Sequence, residues 1–403
     1  MEERKNWDLL AIASIPLIMT LGNSMLIPVL PAIRSKLGIS SLQVSLLITI
    51  YSGIAIILIP LAGYLSDRFG RKKIIIPSLI ITGVGGLIAG LGAWWLDQSY
   101  LVIMLGRLLQ GVGASGAFPI VLPLVGDMFK KDSDVSSSLG LVETANTFGK
   151  VLSPILGSAL AQISWFLPFM SIPVFCVIST ILVACLVKTP KKENSETNIS
   201  FSEFIQDIKQ LFKDNGRWLY AIFTIGCICM LVIFGVLFYL SDTLEEKYHL
   251  DGIVKGLVLA IPLAALCLAS YIIGKTIGRN MKLMKWIAFA GILLVTISLF
   301  LNGLVHSLKM LITLISFGGI GIGVALPCLD ALITENIEKP QRGTITSIYS
   351  SMRFIGVAAG PPLASILVKF SPQLMFYSIG GTGVIAAILA LFAIKPDCTK
   401  QAG

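Results

Sequence analysis

Along this chain, apolar stretches alternate with short breaks rich in charged residues, glycine and proline. A helix needs about 20 mainly apolar residues to cross the hydrocarbon of a bilayer. Twelve stretches reach that length: 9–30, 43–65, 74–95, 100–126, 136–162, 165–187, 218–241, 253–275, 284–304, 309–334, 343–369 and 373–394. Backbone polar groups in lipid must be bonded within their own segment or around a closed barrel. Uninterrupted apolar runs do not alternate as barrel strands do. The pattern predicts an all-α integral membrane protein with twelve transmembrane helices. The first run carries Pro16 and Pro28 and lacks a small-residue cleavage site, so it is expected to remain as the first span.

One polar break is much longer than the others. Residues 188–217 separate six spans from six, which predicts an N-terminal half at 1–187, a linker, and a C-terminal half at 218–403. Within the linker Phe201, Phe204, Ile205, Ile208, Leu211 and Phe212 recur at helical spacing behind a Ser200/Glu203 capping box. This predicts an amphipathic helix, either lying on the inner leaflet or packed under the bundle. The halves repeat weakly: Gly63 answers Gly274, Asp127 answers Glu335, and Ser153-Pro154 answers Gly360-Pro361, at nearly one offset. Duplicated halves of this kind place a substrate cavity on their mutual axis near the bilayer midplane.

Composition supports this reading. With 55% apolar and only 13% charged residues, the chain has too little polar surface to cover a soluble globule. The net charge of +9 could point to nucleic acid, but its distribution points elsewhere. If the N-terminus is inside, 22 of the 31 Lys and Arg residues fall on the inner side and 6 on the outer, leaving Arg107, Lys150 and Arg353 within spans. That is the positive-inside pattern, so a plasma-membrane protein with both termini cytoplasmic is expected, and no nucleic acid partner. Cys176, Cys185, Cys227, Cys229, Cys267 and Cys328 lie in apolar spans and Cys398 in the tail, with no disulfide framework or metal spacing.

The break between spans two and three, "GYLSDRFGRKK", is the densest cluster of charge and glycine, and is expected to be a short connection. Its Gly63, Leu65, Asp67, Arg68, Gly70, Arg71 and Lys72 resemble the G-x-L-x-D-R-x-G-R-R/K signature of the major facilitator superfamily. The resemblance extends over the whole chain through the twelve spans, central break and repeat. It implies a cytoplasmic gate in which Arg71 bridges to Asp127 at the end of span four. The second-half counterpart, "GKTIGRNMK", has Gly278 in place of the aspartate and looks degenerate. In span four Arg107, Gly111 and Gly113 resemble the family's R-x-x-x-G-x-G motif, which implies proton transfer or bracing of the core. In span five Gly140, Gly149, Pro154 and Gly157 resemble the motif of its drug and proton antiporters, with Ser153 and Ser158 replacing two glycines. Small residues there are also a packing device.

Charges within spans are costly and tend to be functional. Glu143, Asn146 and Lys150 share one helical face, and Asp330 and Arg353 join them from spans ten and eleven. A carboxylate whose charge is opposed by burial and favoured by a nearby cation is poised to gain or lose a proton. Glu143, Asp330 and Arg107 are therefore candidates for proton coupling, and Asn23, Asn146, Lys150 and Arg353 for the substrate cavity. A constitutive Glu143–Lys150 ion pair is the alternative. His249 and His306 map to outer connections and take no part.

The expected function is proton-coupled export of an amphipathic small molecule by a monomeric antiporter of the multidrug-efflux type. The two cavity cations suit an anionic metabolite such as a siderophore instead, and lipid or uptake transport is a further alternative. No nucleotide-binding G-x-x-x-x-G-K-S/T occurs, so a proton gradient rather than a cofactor is expected to drive it. No H-E-x-x-H and no histidine within a span supports a membrane enzyme. A non-transporting sensor would lack substrate-dependent proton flux.

Overall fold

The structure, a computed structural model, describes residues 2–128, 132–187, 201–277, 280–305, 307–337 and 339–394. Gly278, His306, Cys398 and the linker residues 188–200 lie outside them, as does the side chain of Glu335. The described residues form α1 (Glu2–Ser24), α2 (Leu30–Leu37), α3 (Ser41–Phe69), α4 (Arg71–Trp95), α5 (Tyr100–Met128), α6 (Asp132–Ile163) and α7 (Leu167–Leu186) in the first half. The second half contains α8 (Phe201–Glu246), α9 (Gly252–Thr276), α10 (Met281–Asn302), α11 (Leu308–Asn336), α12 (Lys339–Val368) and α13 (Pro372–Phe392). No strand occurs among the described residues.

Taking α1 and α2 as one span, eleven segments among the described residues are long and apolar enough to cross a membrane. The twelfth long helix, α6, falls short because Glu143, Asn146 and Lys150 interrupt its apolar residues.

Three local outcomes differ from the sequence pattern. The first span is broken: a 3-10 turn at Ile27–Val29 separates α1 from α2. Pro31 has no N–H to offer the Ile27 carbonyl, and Ser241 Oγ of α8 donates to that carbonyl instead, at 3.0 Å. The expected connection "GYLSDRFGRKK" is almost entirely helical, and Gly63 lies within α3. Only Gly70 leaves the helical path, at φ 102°, a conformation costly for any residue with a Cβ. The expected linker helix is continuous with the seventh span, since α8 contains no proline and one interior glycine such as Gly216 costs a helix only about 1 kcal/mol.

Helix pairing reveals the duplication. Within the first half α4 packs on α5, α3 on α5, α1 on α6 and α4 on α7; the second half repeats these as α10 on α11, α9 on α11, α8 on α12 and α10 on α13. Between halves the main contacts are α3 with α12 and α6 with α9, which exchanging the halves interconverts. Close approach follows the same symmetry. A Cβ on Gly85 would lie 2.6 Å from the Gly106 carbonyl, and one on Gly291 2.5 Å from that of Gly321. Without a hydrophobic drive between helices in lipid, such backbone contacts are the main source of packing.

Candidate functional site

Between the halves, α1, α3, α5 and α6 face α8 and α12 across a narrow cleft. Asn23, Asn146, Lys150 and Arg353 all line it, as the sequence suggests. Thr20, Tyr51, Phe118, Phe234, Ser350 and Phe354 also line it; sequence reasoning missed them, because helix rotation is not encoded in a uniformly apolar run.

The charges are arranged unequally. Arg353 lies 3.6 Å from Asp330, with its guanidinium 5.6 Å from the Tyr349 ring. Lys150 is only 7% exposed, and its ammonium has no hydrogen-bond partner. Among the described residues no Glu143–Lys150 contact falls within ion-pair distance. Glu143 instead accepts from Asn146 Nδ2 at 3.2 Å, and Thr20 donates to Asn146 Oδ1 at 2.6 Å. An unpartnered buried ammonium is expensive, so the site is complementary to an anionic or acceptor-rich guest.

Arg107 is fully buried and takes only neutral partners. It donates to the Leu47 carbonyl at 3.0 Å, the Gly22 carbonyl at 3.3 Å, Gln110 at 2.5 Å and Asn23 at 2.6 Å. Its guanidinium sits 4.4 Å from the Tyr51 ring. One fork of donors thus ties α5 to α1 and α3, which is the geometry of a brace.

At the end of the bundle marked by Gly70, Arg71 joins three helices. It lies 2.5 Å from Asp67 and 3.0 Å from Asp127, and it donates to Ser66 Oγ at 2.7 Å. Arg68 rests over the Phe69 ring, and Lys72 caps the carbonyls of Ala184 and Val187 at the end of α7. Asp67 and Gly63 share a small cleft with Thr344 and Ser347 of α12, where a Cβ on Gly63 would lie 3.2 Å from Ser347 Oγ. Arg71's own bonds among the described residues are to the first half.

In α6, Gly149 and Gly157 face α1: a Cβ on Gly149 would lie 3.2 Å from the Leu17 carbonyl, and one on Gly157 would strike that of Met25. Pro154 and Ser158 accept Gly256 of α9, and Ser153 donates to the Gly149 carbonyl at 2.6 Å. Gly140 differs from its expected packing role. It is exposed near the Gly70 end of α6, and a Cβ there would meet nothing within 4 Å.

The opposite end, marked by Gly38, carries a polar seam that the sequence does not reveal. Arg34 of α2 reaches across to Asp242 at 3.0 Å and to Glu246, both on α8. Lys255, counted from sequence as an outer connecting residue, is 1% exposed; it donates to the Pro28 carbonyl and pairs with Glu245, each at 2.7 Å.

The Major Facilitator Superfamily profile matches residues 12–302 and again 241–402. The Bacillibactin exporter of Bacillus subtilis (strain 168) is 53% identical over 395 residues, 98% of this chain and 98% of that protein. Multidrug resistance protein 2 of the same strain is 24% identical over 385 residues, 92% of this chain and 91% of that protein. The crystal structure of the human organic anion transporter MFSD10 (TETRAN) shares the fold, with a TM-score of 0.74 over 96% of this chain and 99% of that one at 17% identity. The chain therefore belongs to the major facilitator superfamily of membrane transporters and is not an enzyme.

Proposed function

We propose that this protein exports bacillibactin or a closely similar siderophore by alternating access, with proton entry as the coupled flow and no bound cofactor. The observation that carries the reading is the Lys150 ammonium, buried and without a partner at a cleft between the halves. It provides a fixed cation for an acceptor-rich molecule, and Arg353 becomes a second whenever Asp330 is protonated. The 53% identity to a bacillibactin exporter supports the same substrate. Multidrug export rests on relatives at 24% identity, and two cleft cations suit a cationic drug poorly.

Glu143 and Asp330 are the proton carriers in this scheme, and Arg107 positions α1 and α3 rather than moving a proton. The basic excess supports a cytoplasmic Gly70 end and an outer Gly38 end. The test is efflux of bacillibactin from reconstituted vesicles under an imposed pH gradient. Efflux above that of protein-free vesicles, and its loss in Lys150→Gln, is expected. Equal efflux with and without the protein overturns the reading.

A further inference from the structure

Glu143 and Lys150 stand two turns apart on one face of α6, about 10.5 Å along its axis. Two long side chains can close such a gap by reaching toward each other past position 146. Opposite charges within reach and largely out of water are expected to pair. Here they do not: Lys150 Nζ has no partner.

Asn146 accounts for the separation. It is 3% exposed, and its Nδ2 donates to both Glu143 oxygens, at 3.2 and 3.3 Å. A carboxylate only accepts, so this contact fixes which way the amide points. Its Oδ1 then faces α1, where Thr20 Oγ1 donates to it at 2.6 Å. The amide is held at both ends, by its own helix and by the one packed against it. The Asp330 carboxylate is engaged elsewhere, 3.6 Å from Arg353. Among the described residues of the site, that leaves Glu143 as the carboxylate whose position decides whether Lys150 is paired.

We infer that Asn146 is a positioning residue that sets the charge selectivity of the cleft. Anchored by Thr20, it holds the Glu143 carboxylate away from Lys150 and keeps one cation open to an anionic guest. Without the amide, Glu143 pairs with Lys150, and this face of α6 offers no net charge. The inference rests on the export reading only in taking Lys150 as an anion partner.

The test compares the parent with Asn146→Ala, Glu143→Gln and the double variant, each in nanodiscs. Trace acetylation by acetic anhydride, read at Lys150 by mass spectrometry against the exposed Lys309, reports whether the amine is tied up in an ion pair. Asn146→Ala is expected to label about tenfold more slowly than the parent, since a bond between charged groups must first break. The double variant should return to the parent rate, a repair that a merely structural loss would not show. Labelled benzoate and benzylammonium, which share a ring and differ in charge, read the selectivity. Their affinity ratio should shift about tenfold toward benzylammonium in Asn146→Ala and return in the double variant. If Asn146→Ala does not fold, Asn146→Leu, which keeps the volume and lacks the donor, is read in the same way. Labelling or a ratio that stays at the parent value, or a change that the double variant does not repair, overturns the inference. The labelling pattern without bacillibactin efflux sinks only the export reading. Efflux with flat labelling sinks only the role of Asn146.

Discussion

Replacing Lys255 by methionine should open the Gly38 end of the transporter. The Lys255 ammonium makes two bonds of different kinds. The one to Glu245 stays within the second half, whereas the one to the Pro28 carbonyl crosses to the first and must break when the halves part at this end. A hydrogen bond involving a charged group contributes roughly 1.5–3 kcal/mol, and every 1.4 kcal/mol is about tenfold in an equilibrium. Lys255→Met should therefore raise the population open at the Gly38 end by about ten- to a hundredfold. Methionine keeps the buried volume, and Glu245, 32% exposed, can take water in place of its lost partner. The assay is the labelling rate of a cysteine at Ile27, on the seam, by an impermeant maleimide added outside, with the seven native cysteines replaced by serine. Glu245→Gln keeps the crossing bond and should leave the rate close to that of the parent. A Lys255→Met protein that remains folded and labels no faster than its parent refutes the reasoning.

Arg34→Gln should raise the same labelling rate only a few-fold, since partly exposed ion pairs contribute about 0.2–1 kcal/mol each. Arg107→Ala should lower stability by about 1–3 kcal/mol for each buried acceptor it leaves unpaired, read as a large fall in melting temperature, because Asn23, Gln110 and two carbonyls lose their donor together. Gly157→Val should cost about 1–3 kcal/mol through collision with α1, whereas Gly140→Ala should stay within about 0.5 kcal/mol; equal losses would refute the packing argument. Asp330→Asn and Glu143→Gln, compared in vesicles with and without a pH difference, should each uncouple efflux from the gradient, and unchanged coupling in both removes the proton role.

The fold was legible because a bilayer leaves few solutions: length and apolarity account for eleven spans among the described residues, and α6 takes its place as the twelfth through the duplicated helix pairing. Gly70 and Arg71 were legible through the signature they resemble; the positive φ of Gly70 suits a residue without a Cβ, and Arg71 lies at a partly exposed junction of three helices. Interactions that depend on which way a helix turns were not. Lys255 reads as a connecting-loop cation until the break at Ile27–Val29 turns the Pro28 carbonyl toward it. Glu143 and Lys150, seven residues apart on one face, read equally well as an ion pair. Asn146, standing between them, takes the carboxylate instead and leaves the ammonium free. The linker helix read as distinct from span seven because a polar break sets their boundary at 217, although charged residues do not interrupt a helix and α8 runs through it.

Symmetric packing and asymmetric chemistry have a consequence for the transport cycle. The helix pairing of the two halves is interchangeable, so backbone packing alone gives little preference for closing one end over the other. Polar contacts across a seam add to that packing. At the Gly38 end Arg34, Ser241 and Lys255 all bond across the seam. Summed as one charged and one neutral hydrogen bond plus two partly exposed ion pairs, the crossing contacts favour closure at the Gly38 end by roughly 2–6 kcal/mol. A ligand can shift that equilibrium only by as much as it prefers the other state. An anion satisfying Lys150 equally well in both states would remain bound without being carried, so release outward requires a second event at the cleft. In the proposed scheme Asp330, 3.6 Å from Arg353, supplies it: protonation would release Arg353 to the guest and ionisation would reclaim it. The seam thus adds to the differential binding the cleft must provide, and on the proposed mechanism the Asp330–Arg353 contact is where a proton would alter that amount.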